Sequence, residues 1–144
     1  MNISIGRGIN EIIFGLTENE IIDSQGQPNK KYTDELGDLY IKYNSLETTL
    51  KFEKDNDYKL CWIETSNIKA KVLEFSPWKL AKDELIPKLT KLLSEEPEVE
   101  DYGSFESVTY NKSWIEFQFE YAQLKQINFG VLLDEHNKPK WLDT

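Results

Sequence analysis

The sequence predicts an α+β fold: tandem α-β-β-β repeats forming one antiparallel sheet with helices packed on one face. Three observations predict it. Tyr43-Asn44-Ser45 and Leu50-Lys51-Phe52-Glu53 recur as Tyr110-Asn111-Lys112 and Phe117-Gln118-Phe119-Glu120 at a constant offset of 67. Leu60-Cys61-Trp62-Ile63-Glu64 recurs as Leu124-Lys125-Gln126-Ile127-Asn128, and the stretch from Phe14 to Ile22 faces that from Trp78 to Ile86, both at an offset of 64. In each copy a helical stretch precedes short alternating runs separated by polar turns, the pattern of a helix followed by a meander. Repeats of about 65 residues would each be marginal alone, so a shared core is expected. The expected organisation is a single domain over residues 1–144, with repeats at about 9–66 and 72–131 and a C-terminal tail.

The elements follow in order. Gly6 and Gly8 around Arg7 read as an entry turn, because a dinucleotide loop would follow a strand, open a helix and carry a third glycine. Glu11 to Phe14 is a strand candidate. Thr17 with Glu20 three residues on forms a capping box, and Leu16 with Ile21 forms a staple. That helix runs to about Gln25, where Gly26-Gln27-Pro28 ends it. Leu39 to Tyr43, Thr48 to Glu53 and Tyr58 to Thr65 are strands, and their short connections make them antiparallel. Val72 to Phe75 is a further strand candidate. Ser76-Pro77 opens the second repeat. Leu80, Leu85, Ile86, Leu89, Leu92 and Leu93 keep helical spacing, but Pro87 should split the run into two short helices. Glu95 to Asp101 holds five acids among seven residues and reads as an exposed loop. Phe105–Tyr110, Trp114–Tyr121 and Gln123–Val131 are the last strands.

Composition narrows the function. Twenty-six acids against 17 bases give a net charge of -9, which argues against a nucleic-acid partner and favours a basic one or simply solubility. The start lacks a signal peptide, and no apolar run reaches the ~18 residues of a membrane span, so a cytoplasmic protein without a membrane partner is expected. Cys61 is the only cysteine, so no internal disulfide can form, and His136, the only histidine, lies beside the tail with no cysteine or second histidine to support a dyad or metal site. Cys61 is expected on the inward face as an inert thiol. There is no Gly-x-Ser-x-Gly elbow, and Asp34, Glu35 and Asp38 lack the spacing of a calcium loop. No enzyme, cofactor or metal is expected.

Strand alternation assigns faces. Ile115, Phe117, Phe119 and Tyr121 point one way, and Trp114, Glu116, Gln118 and Glu120 the other. Leu50 and Phe52 oppose Thr49, Lys51 and Glu53; Cys61 and Ile63 oppose Leu60, Trp62 and Glu64. Helices should cover the apolar set, leaving an acidic, polar face in which Trp62 and Trp114 stand. Aromatics on such a face anchor protein interfaces. The candidate contacts are Trp62, Glu64, Trp114, Glu116 and Gln118, with Tyr40 and Lys42. Two alternatives stay open: the tail with Trp141 covers the tryptophans, or each packs across strands on a solvated face.

The stretch from Ile9 to Ile22, containing Phe14-Gly15-Leu16-Thr17 and Glu20-Ile21, followed by Gly26-Gln27-Pro28, resembles the entry of modules like the beta-lactamase inhibitor protein and the outer-membrane-assembly lipoproteins. It is also similar to immunity proteins of polymorphic, contact-dependent toxin systems that carry this module in tandem. The second copy departs from it, with Trp78-Lys79-Leu80-Ala81 at the entry and no Gly-x-Pro. The resemblance implies helices on one side of an antiparallel sheet and binding through a protein surface, with no catalytic residues. The expected function is therefore an immunity protein that neutralises a cognate, basic, nuclease-like toxin domain. The alternative is a non-catalytic binding module for a small ligand or an endogenous protein. The oligomeric state and the toxin's activity are not specified by these residues.

Overall fold

In a computed structural model that describes residues 1–142, the fold is α+β, mostly sheet with two α-helices. The elements are β1 (Asn2–Ser4), β2 (Gly8–Ile9), β3 (Ile12–Ile13), α1 (Glu18–Gln25), β4 (Lys30–Thr33), β5 (Leu39–Tyr43), β6 (Thr48–Glu53) and β7 (Lys59–Thr65). They continue with β8 (Lys71–Val72), α2 (Lys82–Leu93), β9 (Glu98–Asp101), β10 (Glu106–Tyr110), β11 (Ile115–Glu120) and β12 (Gln123–Gly130). The main sheet has eight antiparallel strands in the order β4-β5-β6-β7-β12-β11-β10-β9. A small mixed sheet, β3-β2-β1-β8, carries one parallel pairing, β1 with β8. The last two positions of the chain lie outside the described residues.

Local chemistry explains most boundaries. α1 starts at Thr17, whose hydroxyl accepts from the Glu20 N–H while Glu20 reaches back to the Thr17 N–H, and it ends at Gly26 with φ 86°. β11 and β12 meet at Tyr121 and Ala122, with φ of 52° and 64°, the geometry of a two-residue hairpin. That turn corrects the expectation for Tyr121. It leaves the strand and is fully exposed instead of facing inward.

Three further expectations are corrected. α2 is one helix with Pro87 inside it, because Leu85 and Leu89 are fully buried and hold it on the core, while the proline ring lies on the exposed side. The acidic run does not end as a loop: β9 pairs with β10 from Glu98↔Thr109 to Asp101↔Glu106. An edge strand tolerates four exposed positions, since it needs partners on one side only and charge there discourages stray pairing. β4 is its counterpart at the opposite edge, so each half contributes four strands to the sheet and not three.

The inner face carries Ile41, Leu50, Phe52, Ile63, Phe117 and Phe129, all fully buried. Both helices lie on this side. The Tyr43 hydroxyl donates to the Gly26 carbonyl at the end of α1 (2.7 Å), and the Tyr110 hydroxyl contacts Thr90 Oγ1 (3.0 Å) and the Ile86 carbonyl (3.3 Å) of α2. The registers of the two halves correspond. β-Bulges fall between Lys51 and Phe52 and between Gln118 and Phe119, and the halves join at the Glu64↔Asn128 pair. The first bulge corrects a face assignment. Past it, Leu60 pairs with Phe52 and is buried inward, while Cys61 turns to the opposite face, where its thiol meets Glu53 Oε1 at 3.2 Å.

Candidate functional site

The outer face of the main sheet carries every candidate contact residue. Register places Lys42, Thr49, Glu64, Asn128 and Glu116 in one row across the strands, and Tyr40, Lys51, Trp62 and Gly130 in the next. Gln118 pairs with Gln126. Trp114 differs from expectation. It is the last residue of the β10–β11 turn, with φ 53°, and does not belong to the strand. It reaches the same face because its carbonyl accepts from the Gly130 N–H (3.1 Å), which folds the indole back over β12.

There Trp62 and Trp114 meet edge to face, with ring centroids 5.7 Å apart at 63°. Gly130 lies beneath both. A Cβ at that position would stand 2.6 Å from Trp114 Cδ1 and 2.7 Å from Trp62 Cε3, so only glycine lets the two indoles rest on the strand. Trp114 keeps 36% of its surface exposed. Trp141 does not cover the pair: it packs on Gly15, with Lys59 Nζ 5.6 Å from its ring. Instead, the tail hairpin closed by Leu133 and Pro139 forms one wall of a cleft of about 480 Å³. Trp62, Trp114, Cys61, Glu53 and Asp55 line its other sides.

The centre of the face is a polar network. Glu116 accepts from the Ser107 hydroxyl (2.5 Å), Gln118 Nε2 (3.1 Å) and Asn128 Nδ2 (2.9 Å), and Gln126 Nε2 donates to Asn128 Oδ1 (2.7 Å). These bonds hold the Glu116 carboxylate in one place. Glu64 sits across Asn128 from it, and burial pushes its pKa up, opposed by the nearby Lys51 and reinforced by Glu116. Burial and the Glu53 carboxylate push the Cys61 thiol up to about 12, which leaves it unreactive. Asp34, from the acidic group before β5, accepts from the Leu36 and Asp38 N–H groups and the Tyr40 hydroxyl, so its oxygens shape a turn. Among the described residues, no group of three or more His, Cys, Asp or Glu is placed to hold a metal ion, and no helix is long and apolar enough to cross a membrane.

The charges on the face are divided between its two sides. Its β4–β6 side carries Lys30, Lys42 and Lys51 around a stacked Tyr32–Tyr40 pair, with centroids 4.9 Å apart. Lys30 Nζ lies 5.3 Å from the Tyr32 ring and Lys51 Nζ 5.7 Å from the Tyr40 ring. The acids Glu98, Glu100 and Glu116 stand on the other side. Sequence reading missed Tyr32, Lys30 and Gly130. The glycine carried a usable signal, because a glycine inside a strand pattern marks a close approach.

No protein-family model and no curated protein matches the chain. Two solved structures share its fold. One is an extracellular protein containing an SCP domain from Bacillus anthracis str. Ames, with 10% identity and a TM-score of 0.51 over 81% of this chain and 43% of that one. The other is a DUF4309 family protein, YjgB, from Bacillus subtilis subsp. subtilis str. 168, with 15% identity and a TM-score of 0.50 over 88% of each chain. The chain thus spans 43% of the length of the first protein. At these identities the likeness is one of fold alone.

Proposed function

We propose that this chain is a tandem duplication of one helix-and-meander unit whose open sheet face binds a partner protein, and that the partner is a cognate, basic, nuclease-like toxin domain neutralised in the cytoplasm. The duplication is supported by matching registers, by bulges at corresponding places, and by Tyr43 and Tyr110 reaching their helices from corresponding positions. The binding reading rests on one observation above all: the Trp62–Trp114 pair seated on Gly130 beside the ordered carboxylate of Glu116. Partly exposed tryptophans next to fixed polar groups supply anchoring area at low entropic cost. Carboxylates at Glu64, Glu98, Glu100 and Glu116 would steer a basic partner to the second half of the face.

Co-expression with the toxic domain encoded beside the gene tests this reading. Cells should survive with the intact chain and lose protection with Trp114→Ala combined with Glu116→Lys. Equal killing with and without the protein would falsify it. The cleft beside the tryptophans favours a second reading, a module for a small ligand. A thermal shift with metabolites but with no protein partner would select that reading.

A further inference from the structure

The cleft beside Trp62 and Trp114 has a chemistry of its own. Its volume, about 480 Å³, lies within the ordinary range of ligand sites. Two indoles form one side, and the carboxylates of Glu53 and Asp55 stand at the end of β6 and in the turn after it. Four charged side chains line the cleft, two of each sign, but they are not equally engaged. Lys51 Nζ lies 3.8 Å from Asp38 and over the Tyr40 ring. Lys138 joins the Asp134 turn through its backbone N–H, which donates to the Asp134 carboxylate at 2.9 Å, and its ammonium forms no ion pair among the described residues. Among the described residues, the Glu53 carboxylate accepts only the weak Cys61 S–H donor (3.2 Å), and neither Glu53 nor Asp55 forms an ion pair. Two carboxylates without an ion pair therefore stand against one such ammonium, so the unpaired charge of the cleft is negative on balance, and it lies beside aromatic surface.

Aromatic faces next to unpaired carboxylates recognise an organic cation, and a planar guanidinium best of all, because it stacks on indole while donating to carboxylates. We propose that this cleft receives an arginine side chain presented by the partner protein. The inference rests on reading the open face as a partner-binding surface. It assigns the anchor on the partner to a guanidinium seated between Trp62, Trp114, Glu53 and Asp55. The corresponding place across the Glu64↔Asn128 junction holds Gln126, Ser66 and Glu47 in place of the two indoles and the glycine, so the sheet carries one such receptor and not two.

The test uses the full chain labelled with nitrogen-15 and titrated with N-acetyl-arginine amide, following the indole N–H signals. The signals of Trp62 and Trp114 should move together, and added salt should reduce the movement. The citrulline analogue, which has the same shape without the charge, should leave them still. Glu53→Gln combined with Asp55→Asn should weaken arginine-amide binding roughly five- to tenfold, with the remaining spectrum intact as proof of folding. Equal shifts with citrulline, shifts confined to other residues, or unchanged affinity in the double variant would each overturn the proposal. The toxin assay is independent. Loss of protection with arginine binding intact removes the immunity reading and leaves the receptor, and the reverse result removes the receptor alone.

Discussion

Two places on the open face share one backbone and differ in what stands on it. In the first, the Gly130 N–H donates to the Trp114 carbonyl (3.1 Å) and Gly130 pairs with Trp62. In the second, the Ser66 N–H donates to the Glu47 carbonyl (3.0 Å), and Glu47, with φ 49°, occupies the same left-handed turn position as Trp114. One place is an aromatic platform beside a cleft; the other is an exposed polar turn. The hydrogen-bonded frame alone therefore does not make the site. It is made by a glycine that permits close approach and by two indoles that use the space.

The comparison breaks hardest at the shared core. Phe117→Ala should cost about 3–5 kcal/mol and Leu50→Ala, at the corresponding position, about 2–5 kcal/mol, because both side chains are fully buried on the inner face. Each variant should still unfold in a single cooperative transition, followed by circular dichroism in denaturant. Two separate transitions would mean that the halves have separate cores.

Gly130→Ala should cost about 1–3 kcal/mol and displace an indole, since its Cβ would fall within 2.8 Å of Trp114 Nε1. Ser66→Ala should stay within about 0.5 kcal/mol, because Ser66 is exposed. Denaturant midpoints together with a red shift of tryptophan emission measure both. Equal effects at the two places would show that the platform is not built on the glycine.

The smallest effect concerns the junction, where Glu64 faces Asn128. Burial raises the Glu64 pKa in the folded state, so folding binds that proton more tightly and the contribution of Glu64 to stability falls as pH rises from its ordinary value through its folded value. Glu64→Gln, which gives both sides of the junction an amide, should modestly stabilise the protein at pH 7. The gain should vanish as pH drops below the ordinary glutamate range. A gain that persists at low pH would assign the effect to packing instead of charge.

Some of this was legible in the residues. The bounds of β5 and β6 follow from alternation between polar turns, and α1 follows from its capping box and C-cap glycine. Phe52 with Phe119 and Ile63 with Ile127 identify the inner face, as their burial shows. Other features left a weaker trace. β4 and β9 are short, charged and exposed, and only a neighbouring strand makes them strands at all. The bulge after Lys51 reverses Leu60 and Cys61 relative to a regular count of two.

By itself the sequence determined α1, β5, β6 and most of the inward set, because caps, turns and side-chain period act within a few residues. The tertiary structure alone decided the order of eight strands, the exchange of Leu60 for Cys61 on the inner face, and the meeting of Trp62 with Trp114. The joining of the halves and the meeting of the tryptophans depend on β7 pairing with β12, as at Thr65↔Ile127, where long-range hydrogen bonds and burial prevail over local preference, while the Leu60–Cys61 exchange depends on a bulge within the β6–β7 hairpin.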